Sequence, residues 1–201
     1  MAGYQALAAA GQSIVALLNR RFHELPEAVG VDAFLASTNE FKTMKTNTGQ
    51  LIHQPAVSVY CYKICVDKET RPAMSGARQY DGIPRLPLRI HFLVAAWASN
   101  VTEELKWLGL AMQVLDSESI LTGPLLDTSG GWSTGDVVQI VADDLALDTI
   151  SEAFQALSTD FRLSLPYIAR VVFIEGRHQP TEEPVATVAD RLEQPDGVTA
   201  G

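Results

Sequence analysis

Hydrophobic and polar positions alternate most clearly over residues 86–97. Leu86, Leu88, Ile90, Phe92, Val94 and Ala96 fall on one side of an extended chain. Pro87, Arg89 and His91 begin the other side, and Leu93, Ala95 and Trp97 complete it. A strand that starts half-exposed and ends apolar on both faces is expected near the middle of a sheet. Asn100 then stands three residues before Glu103, the spacing of a capping box at a helix start. Leu105, Leu108, Met112 and Leu115 follow at helical steps and predict the buried stripe of that helix, with Glu103, Glu104 and Lys106 on its wet side.

The same reading extends along the chain. Tyr4, Leu7, Ala10, Ile14, Leu17, Leu18 and Phe22 predict a helix over 4–22, stopped by Pro26. Residues 29–37 alternate weakly, as a short strand would. Residues 38–54 are polar, with Lys42, Lys45, Asn47 and Gly49, and read as a long loop or an extended hairpin end. Residues 55–66 are strongly β-forming, with Tyr60, Tyr62 and Ile64 on one face and Val59, Cys61 and Cys65 on the other. A second polar connection, 67–85, follows, so 55–66 is flanked by long loops and reads as an edge strand. After the central strand and helix come an irregular stretch with Gly130, Gly131 and Trp132, a short strand over 137–141, a helix carrying Ile150, Ala153, Phe154 and Leu157, and a last strand over 166–175. These elements predict an α+β fold in which a mixed or antiparallel sheet is packed by two or three helices.

Composition narrows the picture. The chain has 201 residues, 47% hydrophobic and 19% charged, which suits one packed domain over 1–176. From residue 177 onward Pro, Glu, Thr and Gln dominate, and 177–201 is expected to be a mobile acidic tail. The net charge of −9 supplies no broad surface for phosphates, so no nucleic-acid partner is expected. The charge is unevenly placed: +3 over residues 1–100 and −12 over 101–201. Unlike halves suit head-to-tail packing between copies, and suit solubility equally. The N-terminal apolar run is broken by Gln12 and Ser13 and is not preceded by a basic residue, so it reads as an amphipathic helix rather than a signal peptide. No stretch is long and apolar enough to predict a membrane span.

Candidate chemistry is sparse. Gly130 and Gly131 lack the Lys and spacing of a phosphate loop. His23, His53, His91 and His178 are scattered, with no partner at a metal-ligand interval, so no metal or cofactor is expected. Cys61 and Cys65 sit in one expected strand with Lys63 as their only electropositive cue. They should share a face roughly 13 Å apart, too far for a disulfide, and read as small buried hydrophobes in a reducing compartment. The adjacent acids Glu103–Glu104 and Asp143–Asp144 read as helix-start charges rather than a catalytic pair. Trp97, Trp107 and Trp132 read as packing residues. Arg89 and Arg170, in strands among apolar residues, each need an acceptor, within the fold or on a neighbouring subunit.

The stretches LPLRIHFLVAAWA, EELKWLGLAMQVL and LPYIARVVFIEG, taken in order, carry a family resemblance. Over about residues 4–176 the chain resembles the tail-terminator, or cap, proteins of phage-tail-like extracellular contractile injection systems. The resemblance rests on Pro87, Leu88 and Arg89 opening the central strand, Ala96 and Trp97 closing it, Glu103 and Glu104 starting the helix, and Leu165, Pro166 and Tyr167 opening the last strand. It implies a phage tail-terminator-like fold and a non-enzymatic structural protein. Copies would form a hexameric ring that closes the baseplate-distal end of the tube and sheath and helps set particle length. The partners implied are further copies and the tube and sheath subunits, with no nucleic acid and no membrane. Assembly is expected in the cytoplasm, within a particle that can be released from the cell. Lys42, Lys45, Val57, Val59, Arg89 and Arg170 are the candidate contacts to neighbouring subunits. Two other readings stand beside this one: an adaptor binding peptides by strand addition, and a small hydrolase using Arg89, His91 and an acid such as Asp143.

Overall fold

The computed structural model describes residues 2–43, 54–75, 82–156 and 161–176. Its helices are α1 (Ala6–Glu24), α2 (Thr38–Thr43), α3 (Val101–Ser117) and α4 (Leu147–Ala156). Its strands are β1 (Asp32–Ala36), β2 (Ala56–Val66), β3 (Arg85–Trp97), β4 (Ile120–Thr122), β5 (Val137–Ala142) and β6 (Ser164–Glu175). They form one mixed sheet in the order β1-β2-β3-β6-β5-β4, antiparallel except for the β1–β2 pair. This is the α+β architecture expected from the sequence, and β3 lies between β2 and β6.

One sheet face carries the main core. Ile90, Phe92, Val94 and Ala96 of β3 meet Val57 and Val59 of β2 and Ala169 of β6 beneath α1 and α3. Small residues let α1 sink deep: Ala6, Ala9, Ala10, Gly11 and Ser13 are all buried. The segment after β4 closes over this helix, with the Asp127 N–H donating to Ser13 Oγ at 2.7 Å. Gly130 permits that approach, because a Cβ there would lie 2.4 Å from the Trp132 ring and 2.8 Å from Ala9 Cβ. At the start of α3, Asn100 Oδ1 accepts from the Glu103 N–H at 3.0 Å, as the capping spacing predicts.

The opposite face is covered at one end. Ile150 and Phe154 of α4 rest on Ala36, Leu93 and Trp97. Trp97 Nε1 donates to Ser58 Oγ at 2.8 Å, and the Arg162 guanidinium lies 4.2 Å from the Trp97 ring centroid.

Four expectations need correction. β2 is not an edge over its first half: residues 56–60 pair with both β1 and β3. Val57 and Val59 are fully buried there, so neither is an exposed contact. Cys61 and Cys65 do not share a face, because a bulge between Cys61 and Lys63 shifts the register by one. The buried stripe of α3 is Trp107, Leu108, Ala111, Val114 and Leu115, whereas Leu105 and Met112 are 52% and 40% exposed. β4 and α2 fall in stretches read as irregular; the rest of the expected 38–54 loop and the tail from 177 lie outside the described residues.

Candidate interaction surface

The part of the sheet beyond α4 is the candidate surface. The register places Lys63 and Cys65 of β2, Arg89 and His91 of β3, Ile168 and Arg170 of β6, and Gln139 of β5 on one face. Lys63 and Arg170 are exposed. Ile120 on β4 and Val137 on β5 extend this face to its far edge at 55% and 44% exposure. The bulge in β2 builds the surface: by inserting one residue it turns Cys65 toward Arg89 and His91 and leaves Cys61 facing Phe92. Beyond Tyr60, β2 has no pairing with β1, so among the described residues Cys61–Val66 is an open half-edge.

Polar groups cluster where that half-edge meets the face. Arg89 Nη2 donates to Asp67 Oδ1 at 2.8 Å and also reaches Glu69 at 3.2 Å. Burial works against the Asp67 charge. The Thr70 hydroxyl, the Glu69 N–H and Arg89 outweigh it and hold the carboxyl below its ordinary value. Next along β3, His91 Nε2 lies 3.3 Å from Cys65 Sγ, and Nδ1 lies 3.6 Å from Asp143 Oδ2. Burial, helped by nearby Lys63, pushes the His91 pKa down against the pull of Asp143, which favours the neutral imidazole. The Tyr62 ring stands edge-on to His91 at 5.8 Å, and burial, then the Asp143 charge, raise its phenol to about 12. Among the described residues Tyr62 Oη, Arg89 Nε and His91 Nδ1 are buried without a hydrogen-bond partner. Three such atoms in one strip are unusual for a finished surface.

The structure therefore brings Arg89 and Arg170 onto one face and places Val57 and Val59 in the core. Arg170 Nε donates to Gln139 Oε1 at 3.2 Å. Lys42 lies in α2, and Lys45 is outside the described residues. Asp143 is not a helix-start charge, since α4 begins at Leu147 and the Asp143 carboxylate turns toward His91. Arg89, His91 and Asp143 do meet, as the hydrolase reading requires, but on a sheet face. The larger cavities among the described residues open elsewhere, one of about 590 Å³ beside Thr122, Gly131 and Trp132, one of about 480 Å³ beside Arg71, Arg85 and Glu175 and one of about 370 Å³ between α1 and α3. The described His, Cys, Asp and Glu side chains form no group able to hold a metal ion, and no described helix is long and apolar enough to cross a membrane. Trp97 and Trp107 are buried, and Trp132 is half-buried with its Nε1 bonded to the Asp127 carbonyl.

Comparison with known proteins bears on the family and the fold. The model of the Pvc16 N-terminal domain family matches residues 9–187. None of the curated proteins matches the chain. Among solved structures, the fold is similar to a chain in the cryo-EM structure of an extracellular contractile injection system, described as the PVC sheath/tube terminator in the extended state. The TM-score is 0.57 at 19% identity, over 94% of this chain and 63% of that one. At that identity the likeness establishes the fold alone, and this chain spans less than two thirds of that terminator chain's length. A cryo-EM structure of the anti-feeding prophage cap, a tube-terminating cap, gives a TM-score of 0.46 at 18% identity over 68% of this chain and 49% of that one, too loose to bear on the argument.

Proposed function

Because the chain belongs to the Pvc16 N-terminal domain family, we propose that it is a terminator subunit of a contractile injection system. Copies form a closed hexameric ring on the baseplate-distal end of the tube and sheath. By occupying the surface that the next subunit would take, the ring stops growth and helps set length. The work is done by fitting surfaces together rather than by chemical turnover. The family match is the observation that carries the reading, and the shape of the sheet supports it.

A ring requires a heterologous interface, in which one patch meets a different patch on the next copy. The sheet face with Arg89 and Arg170, uncovered among the described residues and bordered by the open half of β2, supplies one such patch. An extended segment of a tube or sheath subunit can add to residues 61–66 through backbone hydrogen bonds. The acidic C-terminal half of the chain complements the basic residues of this face. Assembly takes place in the cytoplasm, within a particle that leaves the cell.

Sedimentation tests this. The protein alone, or with tube and sheath subunits, should run as a ring-sized species and co-sediment with assembled tubes. A protein that stays monomeric at high concentration and leaves tubes unbound would overturn the proposal.

A further inference from the structure

A second arrangement lies on the same sheet face that the assembly reading uses. Cys65 Sγ, the His91 ring and the Asp143 carboxylate lie in sequence, with Nε2 facing the sulfur at 3.3 Å and Nδ1 facing the carboxylate at 3.6 Å. Three separate segments supply them: β2, β3 and the connection between β5 and α4. His91 is only 9% exposed, and its Nδ1 has no hydrogen-bond partner among the described residues. A nucleophile, a base within its reach and a carboxylate 3.6 Å from the base's far nitrogen are the three parts from which an activated side chain is built.

We propose that Cys65 is a nucleophilic thiol site that exchanges with small anionic disulfides, with His91 as its base and Asp143 as a positioning residue. The Cys65 S–H donates to Nε2 of the neutral imidazole, which takes the proton as the sulfur attacks. The thiolate bonds to one sulfur of the incoming disulfide while that disulfide's S–S bond breaks. The departing thiolate collects the proton from His91. Cys65 ends as a mixed disulfide, and one small thiol is released. The negative charge that develops is carried by sulfur and matched by the imidazolium until the proton is returned, so no oxyanion site is called for.

The surroundings select the partner. Lys63 is exposed on the same face and favours an electrophile carrying carboxylates, whereas the Arg89 charge is already taken up by Asp67 and Glu69. Asp143 faces the ring from beyond β5, and Tyr62 borders it on β2. Cys61 is the internal control: the bulge turns it to the other face against the main core, and burial pushes its thiol pKa up.

The test uses the full native chain with oxidised glutathione, followed by peptide mass spectrometry of both cysteines. Cys65 should acquire the glutathionyl group about tenfold or more faster than Cys61. His91→Gln should slow Cys65 by about tenfold, and Asp143→Asn by a smaller factor, with folding of each checked by circular dichroism. Lys63→Glu should slow the reaction with oxidised glutathione but not with the uncharged hydroxyethyl disulfide. If Cys65 reacts no faster than Cys61, or if a folded Asp143→Asn or His91→Gln variant reacts at the parental rate, the proposal fails. The assay is run without tube or sheath and at a protein concentration at which sedimentation shows a monomer, so no neighbouring copy covers the face and failure here is distinguishable from failure of the terminator reading.

Discussion

Arg89→Met is the most informative single change, because Arg89 joins the sheet face to a buried carboxylate. The Asp67 side chain is 4% exposed and takes Arg89 Nη2 at 2.8 Å. Breaking a fully buried pair by removing one partner costs about 3–5 kcal/mol. Two features reduce that here. Asp67 keeps the Thr70 hydroxyl at 2.8 Å and the Glu69 N–H at 3.1 Å, and Arg89 itself is 27% exposed. The contact with Glu69, 84% exposed, adds little. A loss of about 2 kcal/mol at pH 7 is therefore expected. The pH dependence fixes the sign. The folded-state pKa of Asp67 lies below its ordinary 3.8, so the stabilisation is full above that value and is lost as pH falls through the folded pKa. Without Arg89 the carboxyl rises toward its ordinary range. The gap between parent and variant should therefore narrow as the pH falls below 3.8. Urea unfolding of the parent, Arg89→Met, Asp67→Asn and the double variant from pH 7 downward gives the coupling directly, at about 1–2 kcal/mol. Additivity within about 0.5 kcal/mol, or a gap that does not change with pH, would refute the reasoning.

Other changes separate stability from assembly. Gly130→Ala forces a Cβ into the Trp132 ring and Ala9, and should cost about 1–3 kcal/mol in urea unfolding. Asn100→Ala removes the acceptor for the Glu103 N–H at the start of α3 and should cost about 1 kcal/mol by the same measurement. Arg170→Glu changes an exposed side chain held only to Gln139 among the described contacts, so unfolding should move by no more than about 0.5 kcal/mol while co-sedimentation with tubes drops. Unchanged binding would remove Arg170 from the interface.

Much of the fold was legible in the chain. Residues 86–97 show β3 because a strand buried on both faces at one end has to be apolar there on both faces, and Ala95, Ala96 and Trp97 are. The cap at Asn100 is a local contact between neighbours in sequence, so spacing reveals it. What failed depends on distant partners. Leu105 and Met112 repeat at helical steps as well as Leu108 and Leu115 do, and only the position of α1 and the sheet decides which stripe is covered. β4 has three residues, too few for a period to show. The bulge at Cys61–Lys63 leaves no compositional mark, yet it reverses the face of everything after it. That single residue is why the meeting of Cys65, His91 and Asp143 could not be read from spacing. Arg89 and His91 stood out as polar residues in an apolar strand, but their acidic partners come from the segments after β2 and β5.

Cryo-EM of tube and sheath assembled with and without this protein tests the central claim most directly. The account predicts a ring of copies seated on the end away from the baseplate, and particles of narrower length distribution when the protein is present. Bare ends and identical length distributions in both preparations would contradict it.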